Sequence, residues 1–236
     1  MTNKENDDDV DQSNDERNKN SRKRRVRQTG EEERNRLVKL DLNERTDPAA
    51  AVKELAEKHG IDIIDLVIAN ASTGYIWPKV RDAEVDDFRA HMETNVFGFV
   101  ELVKGFLPVL ERTAAKKAEK GEDKEVVWVT IGSGGGFLNN PAAAAVPNAA
   151  YGITKAAQHY LTGKLHHEKP WLTSFSIDPG WARTDMGNAG PRALGIDEAY
   201  GDPDESAKGM LKVFDAATGK THSGKMWTAE GETVLF

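Results

Sequence analysis

The stretch EVVWVTIGS, Glu125 to Ser133, decides the fold. Val126, Val127, Trp128, Val129 and Ile131 form a nearly unbroken apolar run, rich in β-branched residues, that ends in Gly132 and Ser133. A strand with one wet face alternates apolar and polar residues. A strand without that alternation is buried on both faces, which is the pattern of a parallel sheet covered by helices on either side.

Reading outward from this strand gives the same architecture. Downstream, PNAAYGITKAAQHYLTGKL (Pro147–Leu165) reads as a long helix, LTSFSIDPG (Leu172–Gly180) as a strand ending in a turn, DESAKGMLKVFDAATG (Asp204–Gly219) as a late helix and GKMWTAEG (Gly224–Gly231) as a short last strand. Upstream, the segment Glu84–Lys120 reads as a long helical region in which Pro108 is expected to kink or break the helix. DLVIANAS (Asp65–Ser72) reads as a buried strand running into small residues, and TDPAAAVKELAEKHG (Thr46–Gly60) as a helix. Asp47 can cap that helix, Pro48 suits its first turn and Gly60 its exit. RLVKLDL (Arg36–Leu42) reads as a short strand ending near Asp41. Strands alternate with helices, so the class is α/β.

The first 35 residues are different. Up to that point only Met1, Val10 and Val26 are apolar, too few to offset chain entropy, so 1–35 is read as a disordered charged tail and 36–236 as the folded domain. The RKRR block (Arg22–Arg25) is read as part of a solvated tail in preference to an import signal or nucleic-acid contact. A net charge of −7 speaks against a general polyanion binder, so no nucleic-acid partner is expected. No run approaches the roughly eighteen apolar residues of a membrane span, and the N-terminus is too polar for a secretory signal. With no cysteine there are no disulfides and no thiolate metal sites, and a cytoplasmic setting is expected.

In open parallel sheets the ligand sits beyond the carboxyl ends of the strands. Those ends here are Asp41, then Asn70 with Ala71, then Ser133, then Pro179 with Gly180. Tyr151 and Lys155, one helical turn apart, open the helix that follows Ser133. Each feature alone has an ordinary explanation. A strand-end serine is a turn residue, and a Tyr/Lys pair at this spacing is exposed helix surface. Their order and placement together are far more specific. A free phenol has a pKa of about 10, and a cation beside it favours the phenolate.

In these pieces (LDL at Asp41, IANAS at Asn70, TNVFG at Asn95, VTIGS at Ser133, YGITK at Tyr151 and Lys155, and DPGWARTDM at Gly180 to Thr184) the chain resembles the short-chain dehydrogenase/reductases. The end, GKMWTAEGE, is similar to that of fungal members of the norsolorinic acid ketoreductase kind. The resemblance covers roughly 36–236. It implies a Rossmann-like doubly wound parallel sheet, and an NADP-dependent oxidoreductase that moves hydride between a nicotinamide and a ketone or secondary alcohol. It gives Tyr151 the role of proton donor and Lys155 those of tuner and ribose holder. Ser133 orients the substrate oxygen, and Asn95 opens its helix to a proton relay. On the cofactor side Asp41 meets the adenine, Asn70 and Ala71 line the adenosine, and Gly180, Ala182 and Thr184 meet the carboxamide and phosphates. The resemblance also implies a homodimer or homotetramer formed through the helices around Phe88–Leu110 and Tyr151–Leu165.

The departures are as informative. Ser72 stands where the family usually has glycine, and the segment between Ser133 and Tyr151 is somewhat long. The family's opening strand and glycine loop, which present N–H groups to a pyrophosphate, have no counterpart. TGEEERNR (Thr29–Arg36) begins correctly but carries Arg34 and Arg36 in place of glycines. The sheet is therefore expected to lack its first strand–helix–strand unit. RRVRQ reads as a remnant of the second strand, where Arg27 favours NADP, with NAD left open. Three readings stand side by side. One is a reductase missing its N-terminal unit through truncation or a misassigned start. Another is a catalytically inactive relative that acts as a binding protein. In the third, the tail is the working part.

Overall fold

The computed structural model describes residues 35–123, 125–139, 146–193 and 195–236. The charged tail with Arg27, and most of the small-residue loop before Val146, lie outside them.

Helix α1 (Asp47–His59) holds Pro48 in its first turn and ends on Gly60 in the left-handed region, as its sequence requires. Its cap differs from expectation. Thr46 occupies the cap position, and Asp47 is the first helical residue. The Asp47 carboxylate accepts the Asp41 backbone N–H at 3.1 Å and pairs with Lys39. Strand β1 (Leu66–Ala69) follows, then helix α2 (Val85–Met92). Next come a π-helical turn over Glu93–Phe97 and helix α3 (Gly98–Lys120). Strand β2 (Val126–Ile131) leads to helix α4 (Ala149–Glu168) and strand β3 (Leu172–Asp178). Helices α5 (Asp185–Ala193) and α6 (Pro203–Asp215) precede the short strands β4 (Met226–Thr228) and β5 (Thr233–Val234).

The five strands lie in sequence order, β1 to β4 parallel and β5 antiparallel to β4. Every residue of β2 is buried, because successive side chains feed cores on opposite faces of the sheet. Val126 and Trp128 join a core with Phe99, Leu102 and Leu110 of α3. Val127, Val129 and Ile131 join another with Phe175, Ile177 and Val213 of α6. Two buried faces on one apolar strand are what the EVVWVTIGS run implies.

Four elements differ from the sequence reading. Residues 36–41 form no strand. Leu40 and Leu42 still pack on the α3 core, but a strand also needs a backbone partner, and among the described residues β1 pairs with β2 alone. Nor is β1 buried on both faces. Val67 and Ala69 point inward, while Leu66 and Ile68 are about two-fifths exposed. The long helical region is interrupted at the π-helical turn and runs on through Pro108. Finally, α5 forms between β3 and α6, where the sequence reading placed no element.

Candidate active site

The strand ends of β1, β2 and β3 and the first turn of α4 enclose a cavity of about 810 Å³. Ser133, Tyr151 and Lys155 line it together. Asn70 and Ala71 face it from the end of β1, and Gly180, Ala182 and Thr184 from beyond β3. Two further residues singled out from the sequence lie elsewhere. Asn95 sits behind the wall, fully buried. Asp41 is exposed in a local turn, where its carboxylate accepts the Asn43 N–H at 2.9 Å.

Tyr151, Thr154, Lys155, Gln158 and His159 share the buried face of α4, because residues three and four apart stack on one side of a helix. The Lys155 ammonium donates to the Ile131 carbonyl at 2.9 Å and stands 5.6 Å from the centre of the Tyr151 ring. Burial dominates the electrostatics. It pushes the Tyr151 phenol up to about 12, with the Ser133 hydroxyl pulling it down and Asp178 pushing it further up. It also drives Lys155 down to about 8, which Asp178 opposes. Lys155 stands one helical turn from the phenol on the same buried face of α4. Its charge is spent on the Ile131 carbonyl, and desolvation favours its neutral form. The phenol is held in its protonated form.

Asn95 ties three elements. Its side-chain carbonyl accepts the Thr73 N–H at 2.7 Å, and its amide donates to the Thr73 carbonyl at 2.8 Å and the Thr154 hydroxyl at 2.9 Å. A π-helical turn shifts the carbonyl ladder and frees a main-chain oxygen. That of Asn95 accepts from Gln158 Nε2 at 2.7 Å.

Sequence reasoning missed Asp178. Its partly buried carboxylate lines the cavity and accepts N–H bonds from Gly134 and Gly180, both at 3.0 Å. Burial pushes this carboxyl up, against those two N–H groups and Lys155, while Glu230 adds to the rise. The signal was present, since an aspartate directly before Pro-Gly is a turn former that bonds its own backbone two residues on. Trp77, whose ring stands 5.5 Å from that of Tyr151, was also missed, as no pattern marks it.

A parallel sheet of this kind, with a serine, a tyrosine and a lysine meeting at its strand ends, defines an oxidoreductase of the carbonyl–alcohol couple. The short chain dehydrogenase family model matches residues 12–193, and the chain belongs to that family. It is 37% identical over 200 residues to the norsolorinic acid ketoreductase of Dothistroma septosporum, covering 84% of this chain and 72% of that one. To the norsolorinic acid ketoreductase of Aspergillus parasiticus it is 33% identical over 189 residues, covering 80% and 66%. Its fold is similar to that of the NADPH-bound carbonyl reductase from chicken fatty liver, with a TM-score of 0.71 at 24% identity over 84% of this chain and 76% of that one. Among the described residues no helix is long and apolar enough to cross a membrane.

Proposed function

We propose that the chain is an NADP-dependent ketoreductase in which Tyr151 delivers the proton to the carbonyl oxygen. One observation carries this reading: Tyr151, Ser133 and Lys155 line one cavity, and burial keeps the phenol protonated and ready to donate. The Ser133 hydroxyl orients the carbonyl oxygen toward the phenol. Lys155 recharges the site, since an ammonium drawn down to about 8 gives up a proton near neutrality. Asn95 and Thr154 hold the helix that carries both groups.

The chain's residues suit a nicotinamide dinucleotide at its nicotinamide end. Lys155 and Thr184 offer donors to ribose hydroxyls and phosphate, and the backbone from Gly180 to Ala182 faces the same cavity. The nicotinamide would supply the hydride. Asp41 lies outside this cavity, in the turn where its carboxylate accepts the Asn43 N–H. NADP over NAD follows Arg27 and the similar fold of the NADPH-bound carbonyl reductase.

The substrate is a small-molecule ketone, as the ketoreductase names of the relatives suggest. Trp77, Phe137, Trp181 and Tyr200 give the cavity aromatic walls that favour a flat aromatic ketone. Loss of NADPH absorbance in the presence of aryl ketones, measured for the wild type and Tyr151→Phe, tests the reading. Turnover by the wild type that Tyr151→Phe lowers by at least about a hundredfold supports it. Equal turnover by both removes Tyr151 from the chemistry.

A further inference from the structure

His159 is a buried titratable group for which the reaction above has no use. It lies one turn beyond Lys155 on α4, 1% exposed. Its Nε2 is 3.3 Å from the Ser133 backbone nitrogen and accepts that N–H. The bond answers a specific need. The β2–β3 ladder stops at Ile131 and Ile177, with Gly132 N–H donating to the Ile177 carbonyl at 2.7 Å. Ser133 is the next residue, past the ladder, and its N–H is taken by the imidazole. Residue 132 has to be glycine for the ring to come so near, because a Cβ there would stand 2.6 Å from Nε2. The rings of Phe137 and Phe236 flank the imidazole, with centres 6.0 and 5.7 Å away.

We propose that His159 is a positioning residue for Ser133: its neutral imidazole anchors the Ser133 backbone and so fixes the Ser133 hydroxyl opposite Tyr151. This rests on the reading of Ser133 as the group that orients the carbonyl. An acceptor at Nε2 requires the proton at Nδ1, and among the described residues Nδ1 has no partner. The fold leaves a buried donor unpaired and keeps the Ser133 bond. The titratable groups around Ser133 are Tyr151 and Lys155 on α4 and Asp178 on β3. Of these, Lys155 acts on the imidazole and adds to burial, the larger cause, in holding it at about 4. The acceptor therefore persists throughout the working pH range.

Two variants and one spectrum test this. His159→Phe keeps the ring volume and loses the acceptor, whereas His159→Gln returns an oxygen near the place of Nε2. His159→Phe should lower kcat for ketone reduction by about 10- to 100-fold, with KM for NADPH nearly unchanged, and His159→Gln should recover most of it. In a Ser133→Ala background, His159→Phe should change kcat by less than about twofold. An equal loss in both backgrounds overturns the proposal, since His159 would then act independently of Ser133. Nitrogen-15 NMR of histidine-labelled wild type should show His159 protonated at Nδ1, accepting at Nε2 and not titrating down to about pH 5.5. An Nε2–H tautomer, or titration at an ordinary histidine pKa, overturns it as well. The spectrum needs no turnover, so a chain that reduces no ketone refutes the proposed function while the spectrum still decides the anchor.

Discussion

Tyr151 and Lys155 are pushed away from their ordinary pKa values in opposite directions by one cause, burial, and this gives stability a pH signature. Lys155 titrates at about 8 in the folded chain and near 10.5 unfolded. Between these values the unfolded chain binds more protons, so stability rises with pH from 8 toward 10.5. Tyr151 runs the other way. Its folded value of about 12 exceeds the unfolded 10.0, so above pH 10 stability falls as pH rises. Each shift corresponds to about 3 kcal/mol. Urea unfolding from pH 7.5 to 10 should show stability climbing in the wild type and a flatter profile in Lys155→Met. Parallel profiles would contradict the burial of the ammonium. The residue types of this site were legible because the acid, its partner and the strand-end serine each occupy a recognisable spacing. What burial does to them was not, since a spacing of one helical turn is the same on a wet face and a dry one.

At the scale of elements, the π-helical turn is held by the Asn95 side chain. Asn95→Ala would leave the Thr73 N–H and carbonyl and the Thr154 hydroxyl short of a partner, all in or near the core. We expect a loss of about 3 kcal/mol in unfolding free energy, larger than the effect of a surface Asn→Ala. A change below about 0.5 kcal/mol would mean that the turn stands without it. Strand β1 makes the opposite prediction on its open face. Ile68→Lys should leave stability within about 0.5 kcal/mol and reduce aggregation, whereas Val67→Lys should unfold the protein. Static light scattering with thermal unfolding separates the two. β2, β3 and helix α4 between them were readable because their apolar runs act locally. The fates of Arg36–Leu42 and of the outer face of β1 were not, because whether an apolar run becomes a covered strand depends on its neighbours in the sheet.

At the scale of the whole molecule, the helices expected to pair copies carry exposed apolar side chains. Ile153 and Tyr160 on α4 are 52% and 67% exposed, with Phe97 and Val100 at the π-helical turn and α3. We expect the chain to sediment as a dimer or tetramer and Ile153→Glu to shift it toward monomer; a monomeric wild type would remove these helices as an interface. The family was legible from six short motifs, and the match to short chain dehydrogenases agrees with them. The substrate was not legible. It depends on the shape of a cavity assembled from segments far apart in sequence, such as Trp77 and Tyr200.

The central claim is that the strand-end cavity takes a nicotinamide cofactor beside Tyr151. Titration of the 236-residue chain with NADPH, followed by nicotinamide fluorescence, tests it most directly. We expect a saturable enhancement, weakened about tenfold or more in Lys155→Ala through loss of a hydrogen bond to the ribose. A folded wild-type chain that gives no saturable response would contradict the account.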